Sequence, residues 1–467
     1  MFHSLRSQLF RPVDIASLVF FRIAFGLLLC IDLAESWITY GLLQGAYDPE
    51  RFRFKYFGWE WAEPLPEPWL SLVFWIGMLS ALGIAAGFAY RWTAPLAALV
   101  FGYVFLLEKS HYLNHGYLIC WIAGLMIFLP ANRAFSVDVA RNPDLRRRQI
   151  PFWCLFLLPF LMGVVYVYGG LAKLNPDWLR GVPLLYWLQR RADLPVIGPL
   201  LAQDWVAYFM SYGGLLLDLF VVFFLLRART RNWALGFVLF FHLSNTLIFN
   251  IGVFPWLSIA LTLLFWPPDT PRRWVEGLAR HSAFVGRLKE RWQRHISSSM
   301  TGSRPLWQAS MRLRPAIAGA VAMLCAFHLL YPLRHHLIPG PVAWTEEGHR
   351  FAWRMMLRSK NGGGEFTVID TKTGETFAVD PEDHLLKRQA RKLYTHPDMI
   401  LQFAHFLRDE WIRKGHPEVE VYARIRARLN DHAYQFHVDP EIDLASREWS
   451  PWRKSDWITE MAEESRK

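Results

Sequence analysis

A single lysine closes one of the long apolar segments of this chain. Lys173 lies in VYGGLAKLNPDW, residues 167–178, after an apolar run that begins near residue 151. An ammonium group is costly in or beside hydrocarbon, so a lysine in a membrane segment indicates a functional site. Burial removes solvation from its charged form, and a neutral amine can take a proton from an acidic hydroxyl. The alternative is a boundary lysine that extends its charge to the lipid headgroups.

Polar side chains in other apolar segments can serve the same chemistry. Asn114 and His115 lie in EKSHYLNHGYL, and His242 and Asn245 lie in FHLSNTLIFNIGVF. Tyr166, two helical turns before the lysine, and the aromatic residues around it can hold a flat apolar ring. One alternative is that Asn114 and His115 satisfy the hydrogen bonds of each other and of nearby backbone. Another is that His242 and Asn245 only join neighbouring helices by hydrogen bonds.

A metal site is a further possibility. His111 and His115 have the i, i+4 spacing that can bind a metal from one helix face. A di-iron membrane oxygenase would need several such histidine pairs, and the chain offers this one together with the adjacent His335 and His336. We therefore expect no metal.

The composition indicates a membrane protein. Of the 467 residues, 53% are hydrophobic and 16% aromatic, and amphipathic aromatics suit membrane interfaces. The net charge of +11 falls in loops between apolar runs, which favours membrane topology over nucleic-acid binding. All four cysteines lie in apolar segments, so neither a disulfide framework nor a cysteine metal cluster is expected.

Apolar runs predict nine membrane crossings. Seven runs can cross or nearly cross a bilayer, and they begin near residues 15, 69, 94, 112, 151, 205 and 316. The run over 233–266 would form a helix of roughly 50 Å against a hydrocarbon core of about 30 Å. We therefore expect two short crossings there, with a turn near Asn250 and Gly252. The predicted fold is mainly α, a polytopic integral membrane helix bundle over residues 1–332.

Loop charges assign the two membrane faces. Three loop segments are rich in arginine and lysine: 131–150, 227–231 and 267–315. The positive-inside rule places all three in the cytoplasm with the basic N-terminus, and nine crossings keep them on one side. Lys173, His115 and the middle of the 233–266 run then lie together on the opposite face, where the tail also emerges.

The tail, residues 333–467, is predicted to form a C-terminal α+β extracytoplasmic domain. FTVIDTKTGETFAV alternates β-forming residues around a turn and predicts a β-hairpin. Residues 397–429 are expected to form helices, and residues 431–457 an irregular segment rich in Trp and Asp. The polar, basic segment 281–305 favours an exposed cytoplasmic helix and linker.

Several motifs stand in the order typical of a known family. They are DIASLVFFRIAFG, YLNHGYL with LPANRAFSVDV, VYGGLAKLNPDW, GGLLLDL, FHLSNTLIFNIGVF, WTEEGHRFAWRMM, TKTGE, LNDHAYQFHVDPEID and WSPWRKSDW. On these residues the chain resembles a bacterial member of the vitamin K-dependent γ-carboxylase family, within the HTTM (horizontally transferred transmembrane) group. That resemblance implies a location in the bacterial inner membrane, with a cytoplasmic N-terminus.

The resemblance also implies an enzyme of the carbon–carbon lyase type. Such an enzyme oxygenates reduced vitamin K to its epoxide and uses the released energy to carboxylate glutamate at the γ-carbon. The cofactor would be a phylloquinone or menaquinone hydroquinone, with O2 and CO2 as co-substrates and no metal. The expected partners are membrane lipid, the quinone and a glutamyl-containing peptide or protein, with no nucleic acid.

The resemblance assigns roles to the polar residues of the apolar segments. Lys173 has the position of the family base that deprotonates the hydroquinone, and His115 supports the developing oxyanion or the lysine. The implied quinone pocket comprises Tyr166, Asn114, His242 and Asn245.

The tail departs from the family pattern where a glutamate substrate is expected to bind. His349 stands where the animal enzyme has tyrosine, Trp353 is kept, and Arg358 and Lys360 replace a histidine and an arginine. These four are the candidate glutamate-substrate residues, and Arg358 and Lys360 can still hold a carboxylate. Two alternatives stay open: a hydroquinone epoxidase without coupled carboxylation, and a non-catalytic lipid-binding module of the same fold.

Overall fold

Helices dominate the computed structural model, which describes residues 7–38, 45–48, 51–249, 251–297 and 310–462. Within those residues, nine helices fill the nine apolar segments predicted from the sequence. They are α1 (Ala16–Ile38), α2 (Trp69–Ala86), α3 (Tyr90–Leu107), α4 (Asn114–Phe128), α5 (Trp153–Lys173), α6 (Asp204–Leu226), α7 (Arg231–Ile248), α8 (Phe254–Thr262) and α9 (Arg314–Leu330).

Six helical stretches of the described chain are long and apolar enough to cross a membrane. They are Ala16–Ile38, Trp69–Ala86, Tyr90–Leu107, Trp153–Lys173, Asp204–Leu226 and Met311–Leu337. Asn114–Phe128 and Phe254–Phe265 are apolar but shorter. The chain is therefore an integral membrane protein. The count of nine crossings is not confirmed, because the 15 residues of α4 extend over only about 22 Å of a core about 30 Å thick.

The 233–266 run is divided into two helices, as predicted. Between α7 and α8 the chain turns at Gly252, whose φ of 57° lies in the left-handed region that glycine adopts without strain. Asn250, the other residue predicted at this turn, lies outside the described residues.

Short elements connect the long helices. The short helices are Val137–Arg141, Pro176–Leu179, Val182–Gln189, Gly198–Leu201 and Val342–Thr345. The 3-10 turns are Lys109–His111, Pro143–Leu145, Leu263–Phe265, Met311–Leu313, Tyr331–Leu337, Pro381–Asp383 and Leu444–Ser446. The basic segment after α8 forms the helices Thr270–His281 and Ala283–Ser297, and the second confirms the helix expected within 281–305.

Strands β1 (Pro12–Asp14) and β2 (Gln149–Pro151) pair antiparallel before α1 and α5. The four cysteines, all in described segments, are free.

The tail contains a four-stranded antiparallel sheet in the order β4-β3-β5-β6. Its strands are β3 (Lys360–Asp370), β4 (Thr376–Val379), β5 (Val419–Leu429) and β6 (Gln435–Phe436). β3 and β4 form the predicted hairpin, with Phe366 opposite Val379. Gly374, at a φ of 75°, permits the turn between them.

One part of the tail prediction is wrong. Residues 397–429 were expected to be helical, but only α11 (Pro397–Arg413), which follows the short helix α10 (Lys387–Leu393), has that structure. Residues 419–429 form β5 because their small and apolar residues alternate with polar ones, and a period of two buries one face of a strand. α11 packs its apolar face, including Phe403, on this sheet.

A buried charge cluster joins the tail to the helix bundle. Asp398, 3% exposed at the start of α11, accepts hydrogen bonds from Lys109 Nζ at 2.6 Å and Arg350 Nη1 at 2.7 Å. Burial alone would raise the pKa of the Asp398 carboxyl, but Arg350 and Lys109 hold it below its ordinary value. Beside this cluster, Gln389 of the tail donates to Glu108 of the α3–α4 connection at 2.8 Å. Charges removed from water require partners of opposite charge. These contacts therefore fix the position of the tail on the helix bundle.

Replacement of Asp398 tests the importance of this cluster. We expect Asp398→Asn to lower the free energy of unfolding by about 3–5 kcal/mol, because Lys109 and Arg350 stay buried without a counter-charge. Thermal unfolding in detergent, followed by tryptophan fluorescence, measures the change. Asp409→Asn is the matched control, since it loses an exposed contact with Arg408 and should stay close to wild type. Equal unfolding temperatures for the two variants would contradict the explanation.

Candidate functional site

One cavity of about 780 Å³ lies where the helix bundle meets the tail. Most of the residues singled out from the sequence line it: Asn114, His115, Tyr166, Lys173, His242, Asn245, His349, Arg358 and Lys360. Its volume is typical of small-molecule sites, which measure about 300–1,000 Å³. The structure therefore brings together residues from distant segments at one site, while their individual roles stay predictions.

Lys173 is buried and paired at the end of α5. Its Nζ donates to Asp218 Oδ2 at 2.5 Å and to the Gly169 carbonyl at 3.4 Å. Lys173 is 7% exposed and Asp218 5% exposed. The ammonium also lies 5.3 Å from the centre of the Trp178 ring, which favours a cation. The lysine is thus held inside the protein. The boundary alternative requires it to extend to the surface, and it does not.

Two adjacent glycines allow this pair to form. A Cβ added to Gly170 would lie 2.8 Å from Leu219 N, so only glycine lets α5 approach α6 this closely. A Cβ on Gly169 would lie 3.3 Å from Asp218 Oδ2. Sequence reasoning noted the GGLLLDL motif but assigned no role to Asp218. The signal was present, because Asp218 is the one acidic residue of α6 beyond its first turn.

Aromatic and histidine side chains form the wall beside the pair. Tyr166 Oη lies 2.9 Å from His242 Nε2 and 3.2 Å from Thr262 Oγ1, which joins three helical elements by hydrogen bonds. The interhelical alternative for His242 is therefore observed, although the ring also faces the cavity. His115 stacks on Phe254 with ring centres 5.9 Å apart.

Asn114 links the helix bundle to the tail. Its Oδ1 accepts a hydrogen bond from Tyr112 Oη at 3.0 Å, and its Nδ2 donates to the Arg354 carbonyl at 3.4 Å. A hydrogen bond from Asn114 to nearby backbone, one part of the alternative reading of these residues, is therefore observed. Among the described contacts, Asn114 and His115 do not pair with each other. The His115 imidazole stays available to the cavity that it lines.

The tail end of the cavity contains a buried carboxylate that the sequence did not reveal. Glu346, 3% exposed, accepts two hydrogen bonds from the Arg358 guanidinium and one from Lys360 Nζ at 3.1 Å. Burial alone would raise the pKa of Glu346, but Arg358 and Lys360 hold it well below its ordinary value of 4.5. The two cations expected to bind a substrate carboxylate are therefore already engaged by an internal one.

Two neutral histidines flank this carboxylate. Burial, reinforced by nearby positive charge, lowers the pKa of His349 and of His396 well below 6.5. One atom from each, with one from Glu346, lie within 4.8 Å of one another, a spacing that could hold a metal ion. A divalent ion about 6 Å from Arg358 or Lys360 would be repelled by roughly 5 kcal/mol at an effective dielectric of 20. Glu346 would attract the same ion, so the two cations oppose a metal only in part, and the metal-free site stays a prediction.

Trp353 does not line the cavity. It is 1% exposed in the core and packs on Tyr117 with ring centres 5.2 Å apart. Trp353 could therefore affect glutamate binding only indirectly, by positioning the residues that follow it in the chain.

Replacement of Glu346 tests the charge balance at this end. We expect Glu346→Gln to lower the free energy of unfolding by about 3–5 kcal/mol above pH 4.5, because Arg358 and Lys360 lose their counter-charge. The folded-state pKa is depressed, so the wild-type advantage is complete above the unfolded value near 4.5 and is lost as the pH falls below it.

Glu347→Gln is the control for that variant. Burial raises the pKa of Glu347, so a neutral amide should cost little there. Thermal unfolding of both variants between pH 4 and pH 8 gives the comparison. Equal losses at Glu346 and Glu347 would contradict a specific role for the Glu346 charge.

Two protein-family models match this chain and together span most of it. The HTTM domain matches residues 10–270. The vitamin K-dependent gamma-carboxylase lumenal domain matches residues 313–464. No solved structure matches the chain significantly. Since the first match alone covers more than half of the 467 residues and the second lies in the tail, the chain belongs to the HTTM and vitamin K-dependent gamma-carboxylase family.

Proposed function

We propose that this protein is a quinone-dependent γ-glutamyl carboxylase. It would couple oxygenation of a vitamin K-type hydroquinone by O2 to carboxylation of a glutamyl side chain by CO2. The observation that carries the proposal is a single cavity with the Lys173–Asp218 pair in the helix bundle and a cationic wall in the tail. Reduced quinone, when bound, supplies the oxidation whose free energy drives removal of the γ-proton.

The Lys173–Asp218 pair accepts a proton as a unit. Together the two side chains carry no net charge, whether the proton between them is on Nζ or on Oδ2. Breaking a substrate O–H bond gives the pair one positive charge, beside the negative charge left on the oxygen. The attraction between those charges is strengthened because Lys173 and Asp218 are both buried. The proposed proton acceptor is thus the Lys173–Asp218 pair, whereas the sequence led us to expect the Lys173 amine alone.

The cavity wall fits a flat apolar ring. Phe241, Phe254 and Trp178 line the space around the pair, and the Tyr166–His242 bond holds two polar rings in fixed positions. His115 faces the same space and can donate a hydrogen bond to a developing oxyanion. These residues would hold the quinone ring with a hydroxyl directed at Lys173.

Hydroquinone epoxidation without carboxylation is the second candidate function. The observation in its favour is that Glu346 engages Arg358 and Lys360, the two cations expected to bind glutamate. Purified protein given reduced vitamin K and labelled bicarbonate separates the candidates, because only the carboxylase transfers label to a glutamyl peptide.

The proposed orientation puts the tail and the cavity on the extracytoplasmic face of a bacterial inner membrane. Its support is the concentration of arginine and lysine in 131–150, 227–231 and 267–315, which favours a cytoplasmic position for those loops. The proposed division is a catalytic membrane domain over residues 1–332 and an extracytoplasmic domain over residues 333–467.

Removal of the Lys173 amine tests the proton-transfer role. We expect Lys173→Ala to lower the rate of epoxide formation by about 10²–10⁴-fold, the usual contribution of a positioned base. A small weak base such as imidazole should partly restore the rate, since the deleted side chain leaves space beside the hydroxyl. Epoxide formation by purified protein, with and without the added base, gives the measurement.

Two further variants control for this result. Asp218→Asn should also lower the rate, because the amide cannot accept a proton from Lys173. Lys372→Ala removes an exposed lysine on the β3–β4 turn and should leave the rate unchanged. A Lys173→Ala protein that binds quinone but is not rescued would contradict the role of Lys173 as base, and wild type that forms no epoxide would favour the lipid-binding alternative.

A further inference from the structure

Two cations at the tail end of the cavity make no direct contact with a counter-charge among the described residues. Arg354 and Lys392 both line the cavity. Within the part of the chain that the structure describes, neither the Arg354 guanidinium nor the Lys392 ammonium makes a hydrogen bond or an ion pair with a protein group. Buried or half-buried charges in proteins are normally paired, so this arrangement requires an explanation.

The surroundings disfavour both charges as they stand. Burial, followed by the positive charge of Arg358, lowers the pKa of Lys392 to about 8 and that of Arg354 to about 10. Glu346 acts on both pKa values in the opposite direction, so both side chains lie within electrostatic range of the same Arg358–Glu346 pair. An anion bound at this end of the cavity would favour the charged form of each.

The neighbouring carboxylates are already in use. Glu346 is held by Arg358 and Lys360, and Asp398 is held by Lys109 and Arg350. Neither carboxylate is free to bind Arg354 or Lys392 directly, so a ligand anion is the partner that we expect for them.

The Arg354 segment adjoins the Lys173 pair. Asn114 holds the Arg354 carbonyl, which connects this segment to the start of the helix that carries His115. The next residue, Met355, places its Cε 3.8 Å from where a Cβ on Gly169 would lie, and Lys173 Nζ lies 3.9 Å from the same point. The backbone segment that carries Arg354 is thus close to the group that takes the proton.

We propose that Arg354 and Lys392 bind the side-chain carboxylate of the glutamyl substrate, an assignment that rests on the proposed carboxylase function. The Arg358–Glu346–Lys360 cluster then supports this wall and does not itself contact substrate. Arg354 offers a planar fork that can bind both carboxylate oxygens, and Lys392 adds a point charge. CO2 is uncharged and needs neither cation, so a carbonate-derived anion is the less suitable occupant.

Steady-state carboxylation of a glutamyl peptide by the full chain tests the assignment. At saturating hydroquinone and bicarbonate, Arg354→Gln and Lys392→Gln should each raise the KM for peptide at least about tenfold, with a smaller change in kcat. The charge-preserving variants Arg354→Lys and Lys392→Arg should keep KM within a few fold of wild type. If a neutral variant fails to fold, the charge-preserving variant at the same position still tests the assignment.

Exposed residues of the same types provide matched controls. Arg424→Gln and Lys372→Gln lie outside the cavity and should have the wild-type KM for peptide. Wild-type KM values in Arg354→Gln and Lys392→Gln would overturn the assignment. A rise in the KM for bicarbonate alone would also overturn it, in favour of a carbonate-derived anion.

Epoxide formation separates this assignment from the proposed function. Wild-type protein that forms no epoxide even without peptide would contradict the proposed function itself. A different outcome is that wild type forms epoxide and carboxylates peptide, while Arg354→Gln and Lys392→Gln keep the wild-type KM for peptide. That outcome would contradict only the assignment of Arg354 and Lys392.

Discussion

The pairing of Lys173 with Asp218 inside the helix bundle is the contact on which the candidate site depends. An unpaired charge at either position would carry a desolvation cost of several kcal/mol, so each side chain requires the other. The pair forms only because Gly170 lets two helices approach until a Cβ would touch the Leu219 backbone. The glycine pair, Lys173 and Asp218 therefore act together: the glycines set the distance between the helices, and the two charged side chains meet across it. That unit is net neutral and can take up one proton.

The tail extends the same principle of paired charges to the other end of the cavity. Asp398 is shared by two cations where the tail packs on the bundle, and Glu346 is shared by two more beside the cavity. Both carboxylates are almost fully buried. Arg354 and Lys392, which line the cavity, stand apart from this pattern, since no described residue makes a hydrogen bond or an ion pair with either side chain. Each of these carboxylates is shared by two cations, and two further cations at the cavity have no direct partner, so this end of the cavity carries surplus positive charge. Such a surplus is the arrangement expected of a site that receives an anion.

Local patterns made part of this structure predictable. Hydropathy located the nine helical segments, and alternation around Gly374 predicted the hairpin. Residues 419–429 were misassigned to helix, because the small residues of that strand weaken its alternating pattern. The partners of Lys173, Arg358 and Lys360 could not be predicted, since each ion pair joins residues brought together only by packing. Asp218, the one acidic residue of α6 beyond its first turn, was the local sign of the pair with Lys173.

The position of a bound hydroquinone analogue, determined by cryo-electron microscopy of the full chain, tests the central claim most directly. The ring should occupy the space bounded by Tyr166, His242 and Trp178, with one hydroxyl oxygen about 2.6–3.2 Å from Lys173 Nζ. That distance would place the substrate proton on the neutral pair. A ring bound elsewhere, or bound here with both oxygens turned away from Lys173 and Asp218, would contradict proton transfer to the pair.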